Sequence, residues 1–559
     1  MPKPYPPLRR EMRQPKKEDA NPAIQLFGRR FFSDQTIPEF LIELLLVATS
    51  TKKIAIENNQ DIVIGKEYFP EMTVLQDWQE SCPLAYAPKA RLNLKLFALL
   101  GASKLETRHQ IHRDHYEELI KLIGENTAIS GGITQQDVLK TLENLFLGFQ
   151  RVGGQRTWCA QSFLPICPQM IAGETIWKET KAKQDNVETW QEIIENKGYL
   201  QSSQQVFLAR GGEVLYLQIC NALRISVENI QAWVIALNGN QARGEDELIP
   251  EKLRDALSSG IDRALKDCPS GLGLLATFIE QGVDQETSKG TDQDSHGQTR
   301  YTNCGWCPEE TWKEGYLFAV DLLRICRAGL DPVERLSLME TACAVQVLRT
   351  VCAQSARYDN NFTNGGAGPL GYVWAVSDPD GQNNVLKRIS RRSVETNLLR
   401  IQRAVRHPDI KDNVAAQKRY AQKNGKKWTD PYKEADTRYG YKLFLTLAKR
   451  LGFMVPRRGP GARFVLTDHL LRYLVLTIVR PGMRMTYDSF LEQVFLRFGM
   501  ALGGKYLKQA CEWTGVYPPA VLNGDADQWL VDMLEGAGVL VRLSDSCSMV
   551  KNPLGNGRP

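Results

Sequence analysis

The chain has 559 residues, of which 43% are hydrophobic and 24% are charged, and its formal net charge is +6. Because domains average roughly 150 residues, a chain of this length is expected to form about three or four of them. The composition is that of an ordinary globular protein, which excludes a largely disordered chain and a polytopic membrane protein.

The N-terminal residues predict an intracellular protein without a membrane span. Residues 1–35 are rich in proline and basic side chains, which predicts an extended basic arm, and no apolar segment follows directly as in a secretory signal. The strongest apolar run, 40–48, contains Glu43 and is much shorter than the ~20 residues that a bilayer requires, so we expect a buried helix. Twelve irregularly spaced cysteines indicate reduced thiols and a cytoplasmic location.

Helical patterns dominate the chain up to residue 383. Residues 36–281 are predicted to form a mostly helical domain, whose first helix begins after Thr36 with Pro38 in its first turn. Residues 282–300 carry almost no apolar side chains, which predicts a flexible linker. A central helical domain over 301–383 follows and contains the C-x-x-C motif of the chain.

Positive charge is concentrated between residues 384 and 463, which hold 21 Lys and Arg against 6 Asp and Glu. This local excess of 15 positive charges is larger than the net charge of the whole chain, so the remainder is net acidic. Such segregation predicts a polyanionic partner, because each phosphate that a cation neutralises releases counterions. The region divides into a basic helical segment, 384–435, and a helix with a basic hairpin, 436–467.

The candidate nucleic-acid-binding residues are the Lys and Arg side chains that cluster along these helices and in the hairpin. Tyr420 and Trp428 lie among them and are candidate platforms for base stacking. Two other interpretations stay open, namely a solvated helical face and a docking surface for an acidic protein. The candidates are Lys387, Arg388, Arg391, Arg392, Arg400, Arg403, Arg406, Lys418, Arg419, Lys426, Lys427, Lys449, Arg450, Arg457, Arg458 and Arg463.

The order of elements near the C terminus is typical of winged-helix modules. A helix over 439–451 is followed by a hairpin with an arginine-rich tip, and in such modules the helix enters a major groove while the wing contacts the backbone or minor groove. The order recurs over 468–559, with helices predicted at 468–479, 486–498 and 525–536 and a hairpin after them. This last helix is acidic and would repel phosphate, so DNA contact is assigned to the first hairpin and a structural or partner role to the second. The predicted fold class is therefore mainly α (α+β), multidomain, with C-terminal winged-helix-like domains.

Four cysteines predict a structural zinc site. Cys304 and Cys307 form the C-x-x-C motif, a spacing that lets two thiolates share one metal ion, and zinc usually requires four ligands. Cys159 and Cys167 are the nearest plausible second pair, because both stretches combine Trp, Cys and Pro in loop-like sequence. A redox dithiol and unliganded thiols are the alternatives.

No catalytic residues are predicted. The chain lacks the G-x-x-x-x-G-K-[ST] motif of P-loop ATPases and helicases, the G-x-S-x-G nucleophile elbow and the H-E-x-x-H zinc motif. We therefore favour a protein that is not an enzyme. A metal-dependent nuclease with scattered carboxylates would carry no such motif and stays open as an alternative.

The segments FGRRFFSDQTIPEFLIELLLV and LLRYLVLTIVRPGMRMTYDSFLE, together with the Cys/Trp loops, give the chain a resemblance to subunits of bacterial anti-phage defence systems. In length and texture it resembles an accessory, non-helicase subunit of a Druantia-like system. The resemblance implies a DNA-binding scaffold that helps a large partner helicase engage foreign double-stranded DNA. A protein-protein adaptor whose basic segment docks an acidic partner is a further hypothesis.

Overall fold

The computed structural model describes residues 2–6, 21–54, 62–65, 67–77, 84–87, 121, 134–148, 159–162, 173–177, 200–202, 211–237, 245–267, 301–359, 361–425, 428–517, 526–544 and 547–554. Within these residues the protein is mainly helical with five small sheets, which confirms the predicted mainly α class. The predicted linker, 282–300, lies outside the described residues.

The helices in chain order are α1 Pro22–Phe27, α2 Ile37–Thr49, α3 Met72–Asp77, α4 Gln135–Gly148, α5 Gly211–Leu223, α6 Val227–Ala236, α7 Glu245–Leu248, α8 Pro250–Lys266, α9 Trp312–Arg327, α10 Pro332–Arg357, α11 Asn384–Val405, α12 Pro408–Lys423, α13 Pro431–Glu434, α14 Tyr441–Arg450, α15 Asp468–Ile478, α16 Tyr487–Phe498, α17 Gly504–Thr514 and α18 Gln528–Gly536. A 3₁₀ turn, Glu309–Thr311, precedes α9, and a π turn, Ala435–Tyr439, precedes α14.

The strands are β1 Pro4–Tyr5, β2 Thr51–Ile54, β3 Ile62–Gly65, β4 Leu84–Ala87, β5 Cys159–Ser162, β6 Gly173–Trp177, β7 Leu200–Ser202, β8 Thr302–Asn303, β9 Cys307–Pro308, β10 Trp374–Ser377, β11 Met454–Val455, β12 Arg463–Val465, β13 Arg484–Thr486, β14 Met500–Ala501, β15 Leu540–Ser544 and β16 Cys547–Lys551.

Helix α5 forms the centre of the helical core, since all 13 of its residues are buried. Helices α2 and α9 both pack against it. Glycine permits this close packing: a Cβ on Gly212 would lie 2.3 Å from the Phe40 carbonyl oxygen, and a Cβ on Gly315 would lie 2.1 Å from the Gln218 carbonyl oxygen. The helix backbones therefore approach more closely than larger residues would allow.

A buried carboxylate caps α5. Helix α2 begins after Thr36, as predicted, and the structure shows a capping box there; the helix contains Glu43, which is fully buried. Glu43 accepts hydrogen bonds from the Gln35 side chain at 2.9 Å and from the Gly212 backbone N–H at 2.7 Å. An anion at a helix N-terminus satisfies donors that have no partner within the helix and interacts favourably with its dipole. The charge inside the apolar run is thus a structural cap.

The N-terminal residues that the structure describes belong to the core instead of forming an extended arm. Strand β1 pairs with β9, and Tyr5 is 1% exposed. Every residue of α1 is buried. The Arg224 guanidinium lies 4.7 Å from the centre of the Tyr5 ring, and such a contact holds an aromatic ring beside a desolvated cation.

Helix α10 is a core helix. Among the described helices it alone is long and apolar enough to cross a membrane by length and composition, but 89% of its most apolar stretch is buried inside the protein. It packs against α2, α9, α11 and α15.

The region predicted as mostly helical, 36–281, also contains sheets. Strands β3, β2, β4 and β8 form one antiparallel sheet in that order, and β5, β6 and β7 form another. Since β8 comes from 302–303, the N-terminal and central regions share a sheet.

A four-stranded sheet positions the basic segment. Its order is β11-β12-β10-β14, and β10 runs parallel to both β12 and β14. Strands β11 and β12 form the predicted antiparallel hairpin, which is the edge of this sheet. Helix α11 follows β10 after a short loop and packs on β10 and β12.

The C-terminal residues form a separate antiparallel sheet of three strands in the order β13-β16-β15. Helix α16 follows β13, and β14 and α17 come between α16 and α18. The predicted helices at 468–479, 486–498 and 525–536 correspond to α15, α16 and α18.

Candidate nucleic-acid interface

The N-terminal half of α11 presents the most concentrated group of exposed cations that was predicted. The Asn383 side chain caps this helix by accepting hydrogen bonds from the N–H groups of Val385 and Leu386, at 3.0 and 3.1 Å. Apolar side chains at steps of three and four, such as Leu386 and Ile389, bury one side against the sheet. The basic side chains therefore lie on the opposite side.

A cleft of about 590 Å³ lies beside α11. Four of the seven residues that line it are cationic and one is acidic. The acidic residue, Glu395, pairs with Arg392 at 3.2 Å, and both side chains are more than half exposed. In the described part of the chain, no carboxylate pairs with the other three cations. The lining residues are Asn384, Lys387, Arg388, Arg391, Arg392, Glu395 and Val516.

The hairpin loop adjoins this cleft. A Cβ on Gly461 would lie 3.6 Å from the Arg391 guanidinium, so the side chain of Arg391 reaches the loop between β11 and β12. Gly459 and Gly461 have φ values of 91° and 78°, which residues with side chains rarely adopt. Arg457 and Arg458 on the same loop are exposed. We call the combined group the basic cluster: Lys387, Arg388, Arg391, Arg392, Arg457 and Arg458.

Arg463, although predicted as a nucleic-acid contact, is 9% exposed and serves the fold. Its guanidinium donates hydrogen bonds to the Ser377 hydroxyl at 2.6 Å and to the carbonyl oxygens of Asp378 and Pro379 at 2.7 and 2.9 Å. These acceptors take three of the five guanidinium N–H donors, and the buried side chain is turned towards the protein instead of the solvent. We therefore leave Arg463 out of the candidate interface.

Arg400 is also buried, with 5% of its surface exposed. It donates to the Gly371 carbonyl oxygen at 2.6 Å, pairs with Asp359 at 3.4 Å and lies 4.3 Å from the centre of the Phe362 ring. Arg400 is buried because it lies one residue before Ile401, on the side of α11 that faces the core. Arg400 is likewise left out.

Two further candidates have partners within the protein. Arg406 pairs with Asp436 at 2.6 Å, and the Arg406 guanidinium lies 5.3 Å from the Tyr432 ring centre. Arg450 donates to the carbonyl oxygens of Ser33 and Gln35 at 3.1 and 2.9 Å, which joins α14 to the segment before α2.

The remaining candidates lie outside the cleft lining. Arg403 is exposed near the end of α11, Lys418 and Arg419 are exposed on α12, and Lys449 is half-buried on α14. Tyr420 on α12 is 51% exposed, and Trp428 is half-buried. Lys426 and Lys427 lie outside the described residues.

Sequence reasoning missed one aromatic residue beside the cleft. Tyr517 is 88% exposed and directly follows Val516, which lines the cleft. It was missed because no basic residues surround it in the sequence, and only the packing of α17 on α11 brings it to this place.

The predicted zinc ligands are only partly covered by the structure. Cys304 and Cys307 are buried and form no disulfide, and burial raises the pKa of the Cys307 thiol well above its usual range. Cys159 lies in β5, whereas Cys167 is outside the described residues. Among the residues described, no group of three or more His, Cys, Asp or Glu side chains is placed to hold a metal ion. The zinc site stays a prediction.

The arrangement around the cleft suits the binding of phosphate. Guanidinium groups offer planar pairs of donors that match phosphate oxygens, and they stay charged at every physiological pH. Glu395 is the one carboxylate among the described residues that line the cleft. The chain matches no protein-family model, no curated protein and no solved structure.

Proposed function

We propose that this protein binds nucleic acid through the basic cluster and acts as a non-enzymatic subunit beside a partner enzyme. The observation that carries this proposal is the juxtaposition of Lys387, Arg388 and Arg391 in one cleft, where no described carboxylate neutralises them. Neighbouring cations repel one another, and a bound polyanion removes that repulsion while releasing counterions.

Two rigid elements support the cluster. Helix α11 packs on the four-stranded sheet, and the hairpin loop is fixed at its base because β12 pairs with β10. Donors on such a support lose little freedom when a ligand binds, which favours affinity. The hairpin loop therefore presents Arg457 and Arg458 from the edge of a sheet.

We also propose that residues 468–554 form a winged-helix-like module that contacts a protein partner. In its favour are three helices, α15, α16 and α18, followed by the β15–β16 hairpin, with β13 completing the sheet. Its last helix carries Asp532 and Glu535 on exposed positions. Acidic side chains there oppose DNA contact. The proposal that this partner is the helicase of a defence complex is based on the sequence resemblance. Co-purification with the products of neighbouring genes tests it.

Salt-dependent binding tests the main proposal. We expect labelled duplex or single-stranded DNA to bind with an affinity that falls steeply between ~50 and ~200 mM salt. The variant R388A/R391A should lower the slope of log K against log salt by about 1.5–2, because two phosphate contacts are lost. A matched control is R254A/K266A on α8, which removes the same charge from another part of the fold. An unchanged slope in R388A/R391A would refute the assignment of the site.

The hairpin loop has its own test. The variant R457A/R458A leaves the buried Arg463 in place, so a loss of affinity reports on the surface and not on folding.

Incubating the purified protein with plasmid DNA and Mg²⁺ or Mn²⁺ tests the nuclease alternative, for which clean cleavage would be required. A protein without measurable DNA affinity at low salt would favour the adaptor hypothesis.

A further inference from the structure

Tyr517 directly follows a residue that lines the basic cleft. It is the most exposed of the large hydrophobic side chains that the structure describes, at 88%. The preceding residue, Val516, lines the cleft together with the cations of α11. A single exposed aromatic ring is ordinary on a protein surface. An exposed ring one residue away from the lining of a cationic cleft combines the two features that binding of a single-stranded nucleic acid requires, namely charge for the phosphates and a flat surface for the bases.

Hydrogen bonds hold the end of helix α17, directly before Tyr517. Helix α17 ends in a Schellman motif, in which Gly515 adopts a left-handed conformation with φ 67°. The Gly515 N–H donates to the Glu512 carbonyl oxygen at 3.2 Å, and the Val516 N–H donates to the Cys511 carbonyl oxygen at 2.9 Å. The position of Val516 beside α11 is therefore fixed by the helix end.

A second contact holds the same helix end. The Asn364 side chain donates to the Trp513 carbonyl oxygen at 3.0 Å, and the Trp513 ring is fully buried against Phe362. Because Trp513 lies four residues before Tyr517, only a short segment separates Tyr517 from the core. Stacking surfaces that are held in place cost less entropy on binding.

We propose that the cleft binds an unpaired nucleic-acid strand, with phosphates on Lys387, Arg388 and Arg391 and a base stacked on Tyr517. This inference rests on the proposed function and narrows its ligand. A duplex keeps the faces of its bases inside the helix, where a surface tyrosine cannot reach them, whereas an unpaired strand exposes them. A strand held by stacking and phosphate contacts is bound with little regard to sequence.

The experiment compares an oligothymidine of ~15 nucleotides with a duplex of the same length by fluorescence anisotropy. We expect Y517A to weaken binding of the single strand about 5- to 150-fold, the range for the loss of one stacked base, and to leave duplex binding unchanged. Y517F keeps the ring and should bind like the wild type. I235A is the control, since Ile235 is another large exposed hydrophobic side chain, at 73%, and it lies on α6, away from the residues that line the cleft.

The outcomes separate this inference from the proposed function. If R388A/R391A loses affinity while Y517A binds the single strand like the wild type, the stacking inference is overturned and the nucleic-acid site survives. If R388A/R391A also binds like the wild type, both fail. An equal loss for single strand and duplex in Y517A overturns the preference for unpaired strands. Thermal unfolding of Y517A should match the wild type, because the side chain is exposed. Repeating the binding measurement with an oligouridine distinguishes RNA from DNA as the ligand.

Discussion

The Arg463 guanidinium donates a 2.6 Å hydrogen bond to the Ser377 hydroxyl, and this contact ties β12 to the end of the neighbouring strand β10. The same guanidinium bonds to the carbonyl oxygens of Asp378 and Pro379, in the loop that leads into α11. Arg463 therefore helps to position the helix that carries most of the basic cluster, although it does not belong to the surface itself.

We predict that R463A lowers the free energy of unfolding by about 2–3 kcal/mol, because buried acceptors lose a charged donor. Urea denaturation measures the change. R458A is the matched control: Arg458 is exposed on the same hairpin, and its removal should change stability by less than about 0.5 kcal/mol. If R463A kept full stability but lost nucleic-acid binding, the structural role of Arg463 would be contradicted.

Replacing Glu395 should strengthen binding. Glu395 pairs with Arg392 at 3.2 Å on the surface, and exposed pairs of this kind contribute only about 0–1 kcal/mol to stability. E395Q removes the one carboxylate among the described residues of the cleft lining and releases Arg392 for a phosphate. We expect affinity to rise about 2- to 5-fold at low salt, with the gain fading as salt screens the charges. Weaker binding by E395Q would mean that Glu395 orients Arg392 for its ligand.

Local sequence patterns were sufficient to predict single elements of the fold. Thr36 and the proline at position 38 indicated the start of α2, and the glycine-rich, basic tip indicated the β11–β12 hairpin. Pairing between distant strands could not be predicted, because no local pattern specifies that Val376 of β10 lies opposite Phe464 of β12. The burial of Tyr5 beside Cys307 could not be predicted for the same reason. These residues lie far apart in the sequence and meet only because β1 pairs with β9.

The candidate site was predictable as a region but not residue by residue. The concentration of charge between 384 and 463 identified α11, yet Arg400 lies in the same run and is buried. Its alignment with the apolar residues of α11 was a signal that the charge count did not use. Arg463 and Tyr517 carried no such signal. The burial of Arg463 depends on acceptors at the end of β10 and in the loop after it, and the location of Tyr517 depends on the packing of α17.

Close helix packing makes Gly315 intolerant of a side chain. A Cβ at this position would lie 2.1 Å from the Gln218 carbonyl oxygen, so α9 and α5 would have to move apart. We expect G315A to lower the free energy of unfolding by about 1–3 kcal/mol or more. G536A is the control, because a Cβ at this helix residue would have no atom within 4 Å, and alanine there should be neutral or slightly stabilising. Thermal denaturation of both variants separates helix packing from a general effect of replacing glycine.

Stability should fall in acid through a buried ion pair between Glu247 and Arg324. Burial alone would raise the pKa of the Glu247 carboxyl, but the charge of Arg324 and its hydrogen bonds lower the pKa from 4.5 to about 2. The two side chains form a double contact, at 2.9 and 2.8 Å. The unfolded state therefore binds a proton at a higher pH than the folded state does.

A depressed carboxyl pKa contributes stability above the unfolded value of 4.5 that is lost as the pH falls through about 2. At about 1.36 kcal/mol for each pKa unit, the contribution is on the order of 3 kcal/mol. We expect E247Q to be less stable than the wild type at about pH 7 and to lose less stability between pH 4.5 and 2. The control E251Q alters an exposed carboxyl on the neighbouring helix α8 and should keep the wild-type profile. Denaturant unfolding across this pH window measures both profiles. Parallel profiles for wild type and E247Q would contradict the assignment, because the difference between their slopes reports the proton taken up by this one carboxyl.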